Sequence, residues 1–322
     1  MIDPVARRFW SWPSELRRHR VLGINARNVN LLLELNPRGF YPALDDKVLT
    51  KKICEERKIP VPETFVVVER AGDLRRVLGF LRKHQQFVVK PARGAGGRGV
   101  LVIVRQNGAQ FETSDGQLLS PAELRYHILT ILSGSFSLGD RADLAIVEQR
   151  LLPHSAFENL VVGGTPDIRI IVYRGLPVMA MLRLPTHASR GRANLHQGAV
   201  GVGIHLETGC TFGGVYRDRA VTVHPETDMS IEGIPIPHWS DVLTMAVRLS
   251  EAVQLGYLGV DIVLDANHGP IVLEANARPG LAIQTANRCG LLSRLAMVDE
   301  QKAEAVIPTH KERLGVFVPD VS

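Results

Sequence analysis

Apolar and polar positions follow two different periods along this chain. Between residues 71 and 83, Leu74, Val77, Leu78 and Leu81 recur at three- and four-residue steps, which places them on one side of a helix. Residues 120–132 also read as a helix. Residues 239–255 read as an amphipathic one, with Ser240 as its cap and Gly256 as its stop. Asp45-Asp46 precede a helix over 47–57, which Pro60 and Pro62 end, and a last helix starts at Leu291 and runs to about residue 305. Between these lie short runs that read as strands: 64–68, 87–90, 100–104, 143–149, 167–173 and 176–183, the last two joined about Arg174-Gly175.

Two more strands, 259–265 and 270–275, flank the turn Ala266-Asn-His-Gly269. With Asp265 opposite Pro270, Asp261 falls opposite Glu274. Asp261, Val263, Val272, Glu274 and Asn276 then share one face. Directly opposed Cβ atoms stand roughly 4.5–5.5 Å apart, where like charges repel. Two carboxylates and an amide oxygen on one patch ask for a cation. All three donors are hard oxygens, which suits Mg²⁺, an ion that commonly bridges to phosphate. The alternative is a solvated hairpin that happens to be acidic.

A second stretch carries anion chemistry. The strand at 87–90 ends in Lys90-Pro91, Arg93-Gly-Ala-Gly-Gly-Arg-Gly99 follows, and a strand comes after it. Gly94, Gly96, Gly97 and Gly99 let backbone N–H groups approach phosphate oxygens closely. A P-loop would need Gly-Lys-Ser/Thr opening a helix, and a dinucleotide fingerprint also opens a helix. Here a strand follows, so the loop is a glycine-rich flap between two strands. Lys47 sits at the positive end of its helix, a mildly unfavourable place for a cation, which hints at a ligand. Arg27 and Arg38 are further candidate anion contacts.

Composition narrows the class without choosing within it. At 322 residues, 45% apolar and 22% charged, the chain is an ordinary globular one with room for two or three subdomains. A net charge of +5 fits an anionic small ligand as well as it fits nucleic acid, and with aromatics at 6% and basic residues dispersed, a nucleic-acid binder is disfavoured. Cys54, Cys210 and Cys289 form no paired motif, which argues for a reducing, cytoplasmic setting and against zinc. No apolar run reaches the roughly eighteen residues of a membrane span. The first twenty residues, with five arginines around Phe9, Trp10 and Trp12, do not have the layout of a secretory signal. They read as an opening helix docked by its tryptophans, or as a segment for a membrane surface or an anionic partner.

Taken in order, these motifs resemble the ATP-grasp enzymes: an early lysine, a lysine before a glycine-rich β-flap, a Glu148-Gln149 hinge strand and a late Asp…Glu-x-Asn pattern. Asp167-Ile-Arg169, Asn194-Leu-His-Gln-Gly198 and Glu274-Ala-Asn-Ala-Arg-Pro-Gly280 are similar to the glutamate-ligase-like, RimK-type branch. The resemblance covers roughly residues 45–308. It implies an α+β fold in which two α+β subdomains, 46–147 with the flap and 148–308 with the Mg²⁺ site, clamp ATP. Residues 1–45 would form a short N-terminal arm in place of a full preceding α/β domain, and 309–322 a tail.

The resemblance further implies that Lys47 and Lys90 hold phosphates under the Gly94, Gly96, Gly97 and Gly99 flap. The backbone around Glu148, Gln149 and Leu151 would meet the adenine edge. Asp261, Glu274 and Asn276 would be the metal ligands, with Mn²⁺ able to replace Mg²⁺. Arg169 and Arg278 would face the reacting centre. Asn194 and His196 would lie near substrate, although a loop histidine is also ordinary as a solvated residue. The implied reaction is carboxylate–amine ligation through an acyl phosphate. A phosphotransferase on the same fold and a non-catalytic nucleotide-binding scaffold are the rival readings. The acid, glutamate among the candidates, and the amine acceptor, a small molecule, peptide or protein tail, stay open. The short arm, a second copy of the chain or a protein partner would select the acceptor.

Overall fold

The computed structural model describes residues 13–137 and 141–304. Phe9, Trp10 and Trp12 and the tail at 309–322 lie outside the described residues. Two antiparallel sheets organise the rest. The first has six strands: β1 (Thr64–Val68), β2 (Phe87–Pro91), β3 (Leu101–Asn107), β4 (Gln110–Thr113), β5 (Leu118–Leu119) and β6 (Ala145–Glu148), in the order β1-β6-β2-β3-β4-β5. The second has seven: β7 (Asp167–Tyr173), β8 (Leu176–Leu184), β9 (Val200–Ile204), β10 (Thr211–Tyr216), β11 (Arg219–Val221), β12 (Tyr257–Asp265) and β13 (Gly269–Asn276), in the order β11-β10-β9-β8-β7-β12-β13. This is an α+β architecture, as the resemblance implies.

The first sheet buries one face under two helices. Leu74, Val77 and Leu81 from the Leu74–Leu81 helix, and Leu124, Ile128 and Ile131 from the Pro121–Leu132 helix, pack on Phe87, Val89, Ile103 and Val147. Ser120 caps the second helix in a reciprocal capping box with Glu123. The predicted helix at 71–83 begins as a single 3-10 turn over Ala71–Asp73.

The second sheet is covered on both faces. Ile168, Ile170 and Val172 of β7 meet Val242, Ala246 and Leu249 of the Trp239–Val253 helix. Ile171 and Tyr173, on the opposite side of the same strand, meet Leu291, Leu295 and Val298 of the Leu291–Glu304 helix. Double coverage explains why β7 and β8 read as nearly continuous apolar runs instead of alternating ones. Both predicted ends of the amphipathic helix are corrected. It is entered through His238 and left through Gln254, each in the left-handed region at φ 56° and 55°, so Ser240 makes no cap and the stop precedes Gly256.

The N-terminal segment is stitched to the second sheet. Leu22, Leu31 and Leu32 join its core. Asn36 Nδ2 donates to the carbonyls of Tyr257 (2.6 Å) and Ala277 (3.2 Å), and Asn36 Oδ1 accepts from the Tyr257 N–H (3.0 Å). Arg27 is not an anion contact. It is buried, and its Nη1 donates to the Pro279 carbonyl at 2.8 Å. No helix among the described residues is long and apolar enough to cross a membrane.

Candidate functional site

The late hairpin brings Asp261 opposite Glu274, by a different route from a simple count. The ladder starts one residue earlier than expected, with Asp265 opposite Gly269 and Ile262 opposite Val272; a bulge then skips Leu273 and restores Asp261 to Glu274. One consequence is a correction: Val272 belongs to the core under the helix with Ile262 and Leu264, while Ile271 joins Val263 and Leu151 on the other side. A bulge of this kind re-aims the side chains beyond it.

Glu274 and Asn276 line a cleft enclosing about 190 Å³, together with Lys47, Lys51, Arg93, Gly94 and Arg278. Asn276 Nδ2 lies 3.1 Å from Glu274 Oε1 and 3.4 Å from Asp261 Oδ2, a neutral donor between two carboxylates. Turning that amide over would present its oxygen to the same point, so Asp261, Glu274 and Asn276 fit a hard, oxygen-liking dication. Among the described residues no three His, Cys, Asp or Glu side chains gather in a metal-binding group.

Asp261 is also an inner link of a chain of alternating charge, Asp167–Arg183–Asp261–Arg169. Arg169, directly opposite it on β7, donates from Nε to Oδ1 (2.7 Å) and from Nη2 to Oδ2 (2.6 Å). Arg183 on β8 holds both Asp261 Oδ2 (2.9 Å) and Asp167, in a two-pronged pair at 2.5 and 2.6 Å. Burial opposes ionisation of Asp261, but the two guanidinium groups outweigh it and hold its carboxyl below the usual range. Asp167 touches Arg183 alone, with Arg169 a weaker and more distant help, and feels the Asp261 charge. Burial therefore wins there and pushes it up to about 6.

The early lysines reach this region from the other side. Asp46 caps the Lys47–Glu56 helix through the Val48 and Leu49 N–H groups, and the Lys47 N–H bonds the Ala92 carbonyl at the root of the flap. Lys47 Nζ donates to the Gly94 carbonyl at 2.6 Å and stands 3.9 Å from Glu274 Oε2. The helix start, the flap and the acidic hairpin thus meet at one ammonium.

Gly96, Gly97 and Gly99 all have φ between 65° and 72°, a region that favours glycine. A Cβ on Gly99 would run into the Phe136 ring. Gln197 Nε2 donates to the Gly96 carbonyl at 3.2 Å, tying the flap to the loop that carries Asn194 and His196. Asn194 Oδ1 accepts the His196 N–H at 3.1 Å, and His196 is exposed.

Lys90 does not line the cleft directly. Its Nζ lies 2.5 Å from Glu148 Oε1, and Lys51 Nζ lies 2.6 Å from Glu148 Oε2. Burial opposes charge on Glu148, yet the Lys90 and Lys51 ammonium groups hold its carboxyl below the usual range. Gln149 gives its N–H to the Glu63 carbonyl (2.8 Å), and the Leu151 side chain packs with Val263 and Ile271. Arg278 is half exposed, 4.5 Å over the Tyr41 ring and 3.8 Å from Asp45, at the rim of the cleft.

The sequence motifs single out neither Lys51 nor Arg183. Lys51 falls one helical turn after Lys47, a spacing that puts both on one helix face. Arg183 carries no such signal, because a bulge between Ile171 and Val172 sets its pairing with Asp167.

Comparison with known proteins identifies the family and the fold. Residues 26–300 match the family model described as sugar-transfer associated ATP-grasp. A probable alpha-L-glutamate ligase of Legionella pneumophila (strain Paris) is 30% identical over 146 residues, 45% of this chain and 37% of that protein. One from Thioalkalivibrio sulfidiphilus (strain HL-EbGR7) is 32% identical over 144 residues, 44% of this chain and 36% of that protein. The matched stretch thus spans little more than a third of these relatives. The solved structure of D-alanyl-alanine synthetase A from Vibrio cholerae O1 biovar eltor str. N16961 superposes with a TM-score of 0.50 at 13% identity, covering 83% of this chain and 67% of that one, which is a likeness of fold.

Proposed function

Because the chain belongs to the sugar-transfer associated ATP-grasp family, we propose that it is an ATP- and Mg²⁺-dependent ligase joining a carboxylic acid to an amine, with release of ADP. The observation that carries this reading is the meeting at Lys47, whose Nζ touches the flap carbonyl of Gly94 and faces Glu274 across the cleft. The flap-bearing sheet and the hairpin-bearing sheet are the two halves that close on the nucleotide, and the Lys47–Glu56 helix, counted with the first half in the 46–147 and 148–308 division, packs through Cys54 into the core of the second.

In this reading Lys47 and Lys90 take the phosphates, and the flap N–H groups from Gly94 to Gly99 cover them. The peptide groups from Glu148 to Leu151 meet the adenine edge, Leu151 above all, since the Gln149 N–H is already given to Glu63. Asp261, Glu274 and Asn276 hold Mg²⁺, which when bound neutralises phosphate charge. Arg169 and Arg278 face the reacting groups, with Asn194 and His196 toward the acceptor. A carboxylate oxygen attacks the γ-phosphorus, the bond to the β–γ bridging oxygen breaks, and ADP leaves. The amine nitrogen then attacks the acyl carbon, the carbon–oxygen bond breaks, phosphate departs and the nitrogen gives up a proton. Such chemistry needs positioning and charge neutralisation more than covalent help from the protein.

The test is a screen of amino acids and peptides with Mg²⁺ and ATP, glutamate first, reading ADP release and product mass. Hydroxylamine added with the acid alone should yield a hydroxamate. ADP release with a phosphorylated product and no hydroxamate would assign the site to phosphoryl transfer instead, and absence of nucleotide binding would refute both.

A further inference from the structure

Behind the cleft wall three charged side chains are packed away from solvent. Glu148 is 2% exposed, Lys90 5% and Lys51 7%. Each Glu148 oxygen takes one lysine, Lys51 at 2.6 Å and Lys90 at 2.5 Å. The lysines come from different elements, Lys90 from β2 and Lys51 from the Lys47–Glu56 helix, where Glu55 is the other charge acting on Lys51. Two cations on one anion leave an excess positive charge beside the cleft. Lys51 lines that cleft with Glu274 and Asn276, whereas Lys90 lies deeper.

A lone counter-ion could not leave Glu148 without stranding a buried carboxylate, which takes up a proton when it has no partner. With two, one is free to go. We propose that Lys51 is a positioning residue that keeps Glu148 ionised and paired, so that Lys90 can turn from Glu148 to a nucleotide phosphate. This rests on the ATP-binding reading above. It accounts for a second buried lysine on the same carboxylate, and it makes Glu148 the resting place of Lys90 when no phosphate is present.

The experiment measures binding of the Mg²⁺ complex of a non-hydrolysable ATP analogue by calorimetry between pH 6 and 8.5. It compares the wild-type chain with Lys51→Met, Lys51→Arg, Glu148→Gln and the Lys51→Met/Glu148→Gln double variant. Lys51→Met is expected to bind at least about tenfold more weakly at pH 8, with the deficit shrinking toward pH 6 by up to about tenfold per pH unit, the slope of one proton taken up on binding. Buffers of differing ionisation enthalpy should register that proton. Lys51→Arg should keep the wild-type slope. In the Glu148→Gln background, adding Lys51→Met should cost less than about threefold, because the charge that Lys51 serves is gone; this comparison leaves no stranded carboxylate and holds even if Lys51→Met alone fails to fold. A wild-type slope in Lys51→Met, or a tenfold loss on adding it to Glu148→Gln, would overturn the proposal while leaving the ATP-binding reading in place. Failure of the wild-type chain to bind the analogue at any pH would overturn the reading and the proposal together.

Discussion

Asp167→Asn isolates the balance of charge in the sheet that carries the candidate metal ligands. In the native chain Asp167 is buried, shares Arg183 with Asp261 and is pushed up to about 6 from an ordinary 3.8. A carboxyl raised on folding favours the protonated form, so the native chain loses stability relative to a neutral variant as pH climbs between those values. The loss is complete above the folded value. At about 1.36 kcal/mol per pH unit the difference amounts to roughly 3 kcal/mol. At about 2 °C of melting temperature per kcal/mol for a chain of this size, that is roughly 6 °C. Chemical denaturation of both proteins from pH 4 to 8 provides the test. Half-buried His127 and buried His224 are held below their usual values by desolvation and pull the opposite way in the same window, but both are present in each protein and cancel in the difference. The stability of Asp167→Asn minus that of the native chain should rise through pH 4 to 6 and be flat above 7. A flat or falling difference would mean that the Arg183 attraction outweighs burial at Asp167, and that the account of which carboxylate stays charged is wrong.

Lys90→Ala should weaken binding of an ATP analogue by about 10- to 100-fold, the worth of one charge-assisted contact, as read by calorimetry; unchanged affinity would remove Lys90 from the phosphate site. Glu274→Gln should lower Mg²⁺-dependent turnover at least about tenfold while melting temperature is kept, and full activity would dismiss the metal assignment. Gly99→Ala meets both a φ of 72° and the Phe136 ring. It should therefore cost at least about 1 kcal/mol by denaturation, and a neutral result would show that the flap is free to shift. Amide exchange across residues 94–99 should slow when nucleotide and Mg²⁺ are added, and equal exchange would contradict a closing flap.

Helix and strand identities are legible where periodicity or an apolar run reports burial, but β4, β5 and β9 to β11, short or rich in glycine, carry no such signal and are not among the expected strands. Register is not legible, because a bulge leaves no mark in a pattern of apolar residues. At the late hairpin, starting the ladder at Asp265–Pro270 without a bulge and starting it at Asp265–Gly269 with one both bring Asp261 to Glu274. The opposed carboxylates survive the error, while Val272 lands on the wrong face. At β7–β8 no such compensation occurs. Counting back from Arg174-Gly175 puts Asp167 opposite Leu182, and only the bulge moves it to Arg183. Lys51 stays hidden for a different reason. Its partner Glu148 is 97 positions away, and no local rule links them. The front of the chain reads as an arm reaching for partners, yet Arg27 and Asn36 are spent on backbone carbonyls far along the sequence.

Asn36 grips the peptide groups of Tyr257, where β12 begins, and of Ala277, just past the end of β13. A single amide therefore fastens both roots of the acidic hairpin. Anyone trimming this protein to a minimal folded piece, or grafting another module onto its front, has to cut before Leu22 and keep Asn36. A chimera joined at residue 45 would lose the clasp on the hairpin that carries the candidate metal ligands.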